Sequence, residues 1–334
     1  MRIDYQHRFY AHCETGTVAS LLQHHGADLD EAMIFGIGSG LFFGYFPFVK
    51  IGNFQLISYR NAPGTIFKHT VKRLHVDFHV QRFQDPKKAM DALDALLDRG
   101  VPVGLQVGVY WLPYMPPPQQ IHWNAHNIII IGREGDDYIV SDPTNLDLVH
   151  CSREALVRAR FAKGVMAPHG LMYHLEPGSW KGQDINGSLP EAIRGVCQQM
   201  LSVPVPMIGV RGIRLLAKNL RRWPSKLDAQ AVKLNVGNVV IMSELIGSGG
   251  GGFRYMYSSF LKQAGERLKS HQLINASEKL TESGDRWRYF SASAARWSRG
   301  RPDPGMTYER LGNLMDDIAA GEEQVFRQLR QAVA

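Results

Sequence analysis

Two apolar segments at 128–132 and 138–143, separated by a short polar turn, most constrain how this chain can fold. The run of isoleucines that ends at a glycine predicts a central strand. The turn at 134–137 favours an antiparallel return by the second segment. Counting back across this turn places Asp142 two or three residues along from His126. The sequence therefore predicts that His126 and Asp142 approach each other at one end of an antiparallel pair.

The rest of the first half predicts an α+β fold, with an N-terminal helix followed by an antiparallel sheet. Residues 54–60 and 74–80 alternate as half-buried strands do, and 101–109 predicts a further strand. Residues 86–99 have the apolar face of an amphipathic helix. Residues 36–48 interleave glycines with aromatic residues, which favours a close-packed loop lining an apolar cavity over a dinucleotide-binding loop.

Cys13 lies at the predicted start of a helix that ends near Gly26. The positive field of a first helical turn favours the thiolate form of such a cysteine. Cysteine, histidine and acid follow in the chain order of papain-like nucleophilic catalysis. We therefore predict Cys13 as nucleophile, His126 as base and Asp142 as the acid that orients the imidazole. With 13 histidines in the chain, a chance pairing of cysteine and histidine carries about equal weight on spacing alone.

The three cysteines are irregularly spaced, which predicts free thiols and a reducing compartment rather than a disulfide framework. Cys151 and Cys197 are interpreted as small buried hydrophobes. No metal site is expected, because the histidines around Cys13 lack the usual ligand spacing. We expect a cytoplasmic protein, since the N-terminus lacks the apolar core of a signal peptide and no apolar run is long enough to span a membrane.

The net charge of +7 is compatible with nucleic acid, an anionic membrane surface or an acidic protein as partner. Nucleic acid is the weakest of these, because no zinc-finger spacing or RNA-binding signature is present. The segment 211–226 contains six basic residues and no acidic one. It predicts either a docking site for an acidic carrier protein or an ordinary solvated helix face.

Beyond about residue 180 the pattern becomes helical, with segments at 189–201, 209–220, 229–245, 253–271, 275–299 and 308–333. We therefore predict two domains, at 1–180 and 181–334. The glycine run at 247–252 precedes a helix, so it predicts either a phosphate cradle or, with more weight, a flexible interhelical loop.

Further side chains are candidates for binding substrate or the developing oxyanion. Gln6 and His7 precede the cysteine and carry side-chain donors, and the backbone N–H of Cys13 is an alternative donor. Glu14 and Glu31 are candidate binders of a substrate amine, although helix capping or packing is the heavier interpretation for both. In the helical domain, the candidate for binding substrate is Arg254.

With these residues in view, the sequence resembles the family of butirosin biosynthesis protein H. The resemblance rests on four stretches spread over nearly the whole chain: His12-Cys13-Glu14, residues 29–41, Ala125-His126 and residues 244–254. The second half looks like the uncharacterised helical domain that usually follows in this family.

The resemblance implies a papain-like fold, related to bacteriocin-processing cysteine peptidases, and an acyltransferase activity. An acyl group would pass from the phosphopantetheine thioester of a carrier protein to Cys13, and then to a small-molecule amine. The only cofactor implied is the phosphopantetheine that the donor brings. The related peptidases keep a glutamine a few residues before the cysteine, a place that Gln6 and His7 straddle here.

Two other functions remain open at this point. A cysteine peptidase, amidase or thioesterase would use the same trio with water as acceptor. A non-catalytic protein would hold a lipid or acyl chain in its apolar pocket. A second copy of the chain is a further candidate partner, through a dimer interface on the helical domain.

Overall fold

The computed structural model describes residues 2–51 and 54–334. Its helices are α1 (Cys13–His24), α2 (Glu31–Ile37), α3 (Thr65–Leu74), α4 (Pro86–Asp98), α5 (Arg153–Arg160), α6 (Ser188–Leu201), α7 (Gly209–Lys226), α8 (Ala229–Glu244), α9 (Arg254–Leu268), α10 (His271–Ser298) and α11 (Tyr308–Ala332). Its strands are β1 (Leu41–Ile51), β2 (Phe54–Arg60), β3 (His79–Gln81), β4 (Val103–Val107), β5 (His126–Glu134), β6 (Asp137–Ser141), β7 (Val149–Ser152) and β8 (Met172–His174). The α+β fold class predicted from the sequence is confirmed.

The chain forms two compact units. The first comprises Met1–Ile34 and Phe67–Asp184, and the second comprises Phe35–Ile66 and Ile185–Ala334. The division into domains at 1–180 and 181–334 stays a prediction, and the packing adds a feature that it did not contain. The segment Phe35–Ile66 packs with the helices of the second unit rather than with its sequence neighbours.

A six-stranded antiparallel sheet forms the centre of the first unit, in the order β3-β8-β4-β5-β6-β7. The isoleucines of β5 are fully buried, as expected for a central strand. Ile129 pairs with Ser141 across the hairpin, so Asp142 follows at the end where β5 begins. Helix α1 packs against β4 and β5.

Two predictions for this half of the chain are wrong. Residues 36–48 are not a loop, because Leu41–Ile51 is a strand paired with β2. Leu41, Phe43 and Tyr45 alternate into the core of the second unit, and the glycines had masked this two-residue period. Residues 74–80 are not one strand either, because α3 runs to Leu74 and only His79–Gln81 is extended.

The second unit combines the β1–β2 hairpin with α6 to α11. All six helical segments predicted from the sequence are helices. The helix predicted at 209–220 extends to Lys226, with Pro224 in its last turn. Lys269 has a left-handed φ of 51°, which ends α9 three residues before the predicted limit at 271. Among the described residues, no helix has both the length and the apolarity to cross a membrane.

Candidate active site

Cys13 is the first residue of α1 and its side chain is buried. His12 is the N-cap, in an extended conformation, and its imidazole Nδ1 lies 3.4 Å from the amide nitrogen of Thr15. The first turn of a helix leaves N–H groups without intrahelical partners and carries partial positive charge. The predicted placement of the cysteine at a helix start is therefore what the structure shows.

The segment before α1 is tied to the turn that follows β6. The amide of Tyr10 donates to the carbonyl of Pro143 at 2.6 Å. Gly16, in the first turn of α1, faces the same turn: a Cβ there would lie 2.8 Å from Pro143 Cβ. Because only glycine fits at this distance, Gly16 lets the start of α1 lie directly against the turn that carries Asp142.

His126 is the first residue of β5 and lies within hydrogen-bonding distance of Asp142. The distance from His126 Nε2 to Asp142 Oδ2 is 2.7 Å, and both side chains are almost fully buried. A side-chain hydrogen bond also joins His126 to Cys13. The fold thus brings the three predicted catalytic side chains together, in the order thiol, imidazole, carboxylate.

The electrostatics of this trio favour a protonated imidazole. Burial lowers the pKa of His126, but Asp142 and Cys13 raise it well above its usual value through their charges and hydrogen bonds. Burial likewise raises the pKa of Asp142, yet the charge of His126 and the hydrogen bonds from His126 and Thr144 lower it below its usual value. A carboxylate and an imidazolium are therefore the stable forms of this pair.

Asp142 accepts further hydrogen bonds, from residues that the sequence did not single out. Tyr114 Oη donates to Oδ2 at 3.1 Å, while the amide and the hydroxyl of Thr144 donate to Oδ1 at 2.9 and 2.8 Å. The Asp-Pro-Thr sequence of a polar turn contained a signal for Thr144, because aspartate commonly accepts from the residue two positions on. No sequence signal pointed to Tyr114.

The predicted oxyanion candidates Gln6 and His7 both have side-chain partners within the protein. Gln6 is exposed, and its side-chain oxygen accepts from Arg8. Both ring nitrogens of His7 have partners: Nδ1 lies 2.8 Å from Ser141 Oγ, and Nε2 lies 3.1 Å from the carbonyl of Asn145. His7 thus fastens the segment before α1 to the end of β6, which is a positioning contact.

Both glutamates near the cysteine in sequence bind backbone amides. Glu14 is buried and accepts from the amide of Phe67 at 3.0 Å. Glu31 accepts from the amides of Ala11 and His12, at 3.0 and 2.7 Å. Each of these two carboxylates is thus bound to the protein's own backbone.

Arg254 lies in the second unit and is fully buried. Its Nε and Nη2 donate to the two carboxylate oxygens of Glu322, at 2.8 and 2.9 Å. Its guanidinium also lies over the rings of Tyr59 and Trp287. With its charge paired and its donors enclosed, Arg254 is a core residue here, and nothing in its contacts marks it as a binder of substrate.

The other two thiols differ from Cys13. Burial raises the pKa of Cys151 and of Cys197 to about 12, so neither is a thiolate near neutral pH. The structure bears out the sequence interpretation of both as buried small side chains. Within residues 2–51 and 54–334, no group of three or more histidine, cysteine or acidic side chains is arranged to hold a metal ion.

The fold and this site define an α+β protein with a cysteine at the start of a helix, packed on an antiparallel sheet that carries a histidine–aspartate pair. Two protein-family models match the chain. Residues 12–143 match "Butirosin biosynthesis protein H, N-terminal", and residues 154–329 match "Domain of unknown function (DUF4872)". The chain belongs to the family that joins these two domains, as the sequence resemblance implied.

Comparison with solved structures finds a C39-like peptidase from Bacillus anthracis among the similar chains. It is 16% identical, has a TM-score of 0.37, and aligns with 52% of this chain and 97% of its own. No curated protein matches the chain.

Proposed function

We propose that the protein is a papain-like cysteine acyltransferase. It moves an acyl group from the phosphopantetheine thioester of a carrier protein, through an acyl-Cys13 intermediate, to a small-molecule amine. The observation that supports this most is the buried His126, held between Asp142 and the Cys13 thiol. A protonated imidazole beside a helix-start cysteine favours the thiolate that thioester exchange needs.

The reaction divides into two balanced steps on these three side chains. In the first, the Cys13 thiolate attacks the thioester carbonyl, the bond to the carrier sulfur breaks, and the carrier thiol leaves with the proton of His126. In the second, the amine attacks the acyl-cysteine, the bond to Cys13 breaks, and His126 receives the proton of the amine. Asp142 holds the imidazole in orientation and stabilises its protonated form in both steps.

The family name supports a place in biosynthesis rather than in protein turnover, because the matched N-terminal domain is named for butirosin biosynthesis. For the developing oxyanion we propose the backbone N–H of Cys13, at the positive end of α1. The amides of Ala11 and His12 already donate to Glu31, and the side chain of His7 is held by Ser141 and Asn145.

We further propose that an acidic carrier protein docks on α7. Two of the six basic residues there are neutralised by α11: Arg214 pairs with Glu323, and Arg221 pairs with Glu309 and Asp316. The remaining four are exposed on one side of the helix, and in the part of the chain that is described no acidic side chain pairs with them: Arg211, Lys218, Arg222 and Lys226. A row of unpaired cations is complementary to an acidic helix.

The phosphopantetheine would enter on the donor, so we propose no resident cofactor, and we propose a cytoplasmic enzyme. A homodimer through the helical unit stays a proposal. Peptide or thioester hydrolysis, with water in place of the amine, is the competing reaction of the same trio.

Incubation of the protein with an acyl thioester on a phosphopantetheinylated carrier protein tests the proposed function. We expect an acyl adduct by intact mass spectrometry, mapped to Cys13 and missing from Cys13→Ala. Addition of candidate amines should then discharge the adduct as an amide. Release of free acid at the same rate with and without amine would establish the hydrolase instead, and an unmodified wild-type protein would overturn the proposal.

A further inference from the structure

The carboxylate of Glu31 binds the chain on both sides of Cys13. Glu31 is the first residue of α2. Its Oε2 accepts from the amide of Ala11 at 3.0 Å, and its Oε1 accepts from the amide of His12 at 2.7 Å and from Thr15 Oγ1 at 3.0 Å. One carboxylate therefore ties the two residues that precede the thiol to a residue in the first turn that follows it.

These contacts differ from ordinary capping, in which the N-cap side chain bonds the first turn of its own helix. Here the N-cap is His12, and its contact with the amide of Thr15 is long, at 3.4 Å. The shorter bonds come from a glutamate that lies 16 to 20 positions away in sequence. A residue outside α1 therefore gives the segment around Cys13 shorter hydrogen bonds than its own N-cap side chain gives the amide of Thr15.

We propose that Glu31 is a positioning residue: its ionised carboxylate holds residues 11, 12 and 15 so that the Cys13 thiol faces His126, and protonation of Glu31 loosens this arrangement and slows the thiol. The proposal rests on the proposed function only in taking Cys13 as the nucleophile. It assigns to Glu31 no contact with substrate.

Hydrogen-bond chemistry explains why the ionised form is the one that holds the segment. All three partners point a donor at the carboxylate, and an ionised carboxylate offers acceptors only. Protonation removes the negative charge, and hydrogen bonds to a neutral carboxyl are weaker than those to a carboxylate, so all three contacts weaken. Thr15 Oγ1 also lies 3.0 Å from His12 Nδ1. The proton on Glu31 therefore also decides whether the Thr15 hydroxyl is free to donate to His12.

The environment places this change near neutral pH. Burial raises the pKa of Glu31 to about 7, although the hydrogen bonds from Ala11, His12 and Thr15 act to lower it. The nearby ionisable groups are Asp30 beside it in the chain, Tyr10 on the segment before α1, and the side chains of His12 and Cys13 at the helix start.

A raised pKa also means that the ionised carboxylate opposes folding. The unfolded chain loses this proton at lower pH than the folded protein does. The bound proton therefore contributes its full stabilisation below the usual pKa of glutamate, and that contribution is lost as pH rises through about 7. Replacement of Glu31 by glutamine should therefore remove a destabilising charge at alkaline pH. If Glu31 served only to stabilise the fold, its replacement by glutamine would lower the stability at alkaline pH.

The test is the rate at which iodoacetamide alkylates Cys13 in the full-length protein, from about pH 5 to about pH 9, followed by peptide mass spectrometry. For the wild type we expect a step near pH 7, with the slower rate on the acid side. Glu31→Gln should react roughly tenfold more slowly than the wild type at alkaline pH and show no step. Asp30→Asn makes the same chemical change one residue earlier, and asparagine keeps the cap that Asp30 Oδ1 provides for Met33. This variant should keep the wild-type rate at alkaline pH and keep the step, moved to lower pH because the charge of Asp30 helps to raise the pKa of Glu31.

Thr15→Val keeps both amide contacts and should slow the reaction less while keeping the step. In thermal unfolding, Glu31→Gln should gain stability relative to the wild type as pH rises. A Glu31→Gln protein with the wild-type rate and the wild-type step would overturn the proposal. Should that variant not fold, a Thr15→Val protein that reacts like the wild type at every pH would overturn it. Because alkylation needs no acyl donor, a protein that passes this test and takes up no acyl group refutes the proposed function alone.

Discussion

Two buried carboxylates, Asp142 in the first unit and Glu322 in the second, make an instructive comparison. Each is fully buried and each pairs with a buried cation, His126 and Arg254 respectively. Glu322 also accepts from Ser283 Oγ and Trp287 Nε1. Buried charges are commonly taken to indicate a functional site, and by that criterion alone the two sites are equivalent.

The difference lies in the cation and in what it touches. Arg254 keeps its proton at any physiological pH, and its other contacts are a backbone carbonyl and the faces of two aromatic rings. His126 can lose its proton, and it hydrogen-bonds a thiol. A buried ion pair therefore indicates a reactive site only when one partner can exchange a proton with a nucleophile.

The largest effect is expected from Glu322→Ala, which leaves Arg254 buried without a counter-ion. Breaking a buried pair in this way costs about 3–5 kcal/mol of unfolding free energy. Urea unfolding followed by tryptophan fluorescence measures it. The double variant Arg254→Met/Glu322→Leu should recover most of the loss, because it removes both charges and keeps the volume. A single variant as stable as the wild type would mean that the pair is not a core element.

Asp142→Asn should distinguish the two sites by its effect on the reaction rather than on stability. Asparagine fills the same space but lacks the charge that keeps His126 protonated. We expect acylation of Cys13 to slow by roughly 10²-fold, the scale of general acid–base assistance. The matched change Glu322→Gln should leave the acylation rate of the folded protein unchanged. Equal slowing by both variants would remove the distinction between the sites.

The pH dependence of stability should differ in sign between two buried histidines. Asp142 and Cys13 raise the pKa of His126 against the effect of burial, so its stabilising effect is present in acid and is lost as pH rises through the raised value. Burial lowers the pKa of His174, so this residue destabilises the fold as pH falls below about 6.5.

Thermal midpoints of His126→Gln and His174→Gln, each relative to the wild type across about pH 5 to 9, check this difference. The deficit of His126→Gln should shrink as pH rises, and His174→Gln should gain on the wild type in acid. Parallel curves for the two variants would contradict the assigned protonation states.

The smallest effect is expected from Tyr114→Phe. This change removes one hydrogen bond to Asp142 and leaves those from His126 and Thr144. We expect a loss of about 1 kcal/mol of unfolding free energy and a several-fold slower acylation of Cys13. Ser283→Ala, which removes one hydroxyl hydrogen bond to Glu322, is the control in the other unit and should affect stability alone.

Most of the candidate site could be predicted from the sequence, because the positions of its three side chains in strands, turns and helices follow from local patterns. The isoleucine run and its turn gave the register that brings Asp142 to His126, and a helix start was readable at Cys13. The close approach of the start of α1 to the turn after β6 was not readable, since Gly16 and Pro143 are far apart in the chain. Tyr114 was invisible for the same reason.

The prediction for residues 36–48 failed because one residue pattern fits two structures. Glycines among aromatic residues at 36–48 fitted a loop as well as a strand, and the structure shows β1 there. Arg254 was a candidate in the helical domain, and no local signal pointed to its partner Glu322, which lies 68 positions further along the chain. Within the glycine run, the amide of Gly251 donates to the carboxylate of Glu244 and the amide of Gly250 donates to Ser248 Oγ.

The most direct test of the central claim, that Cys13 is the activated thiol, uses the three cysteines of one molecule against each other. The folded wild-type protein is treated near pH 7 with less iodoacetamide than thiol, and the label on each cysteine is measured by peptide mass spectrometry. We predict label on Cys13 and almost none on Cys151 and Cys197, whose thiols burial keeps protonated. We also predict that this preference is lost in His126→Ala. Equal labelling of all three, or a preference that survives in His126→Ala, would contradict it.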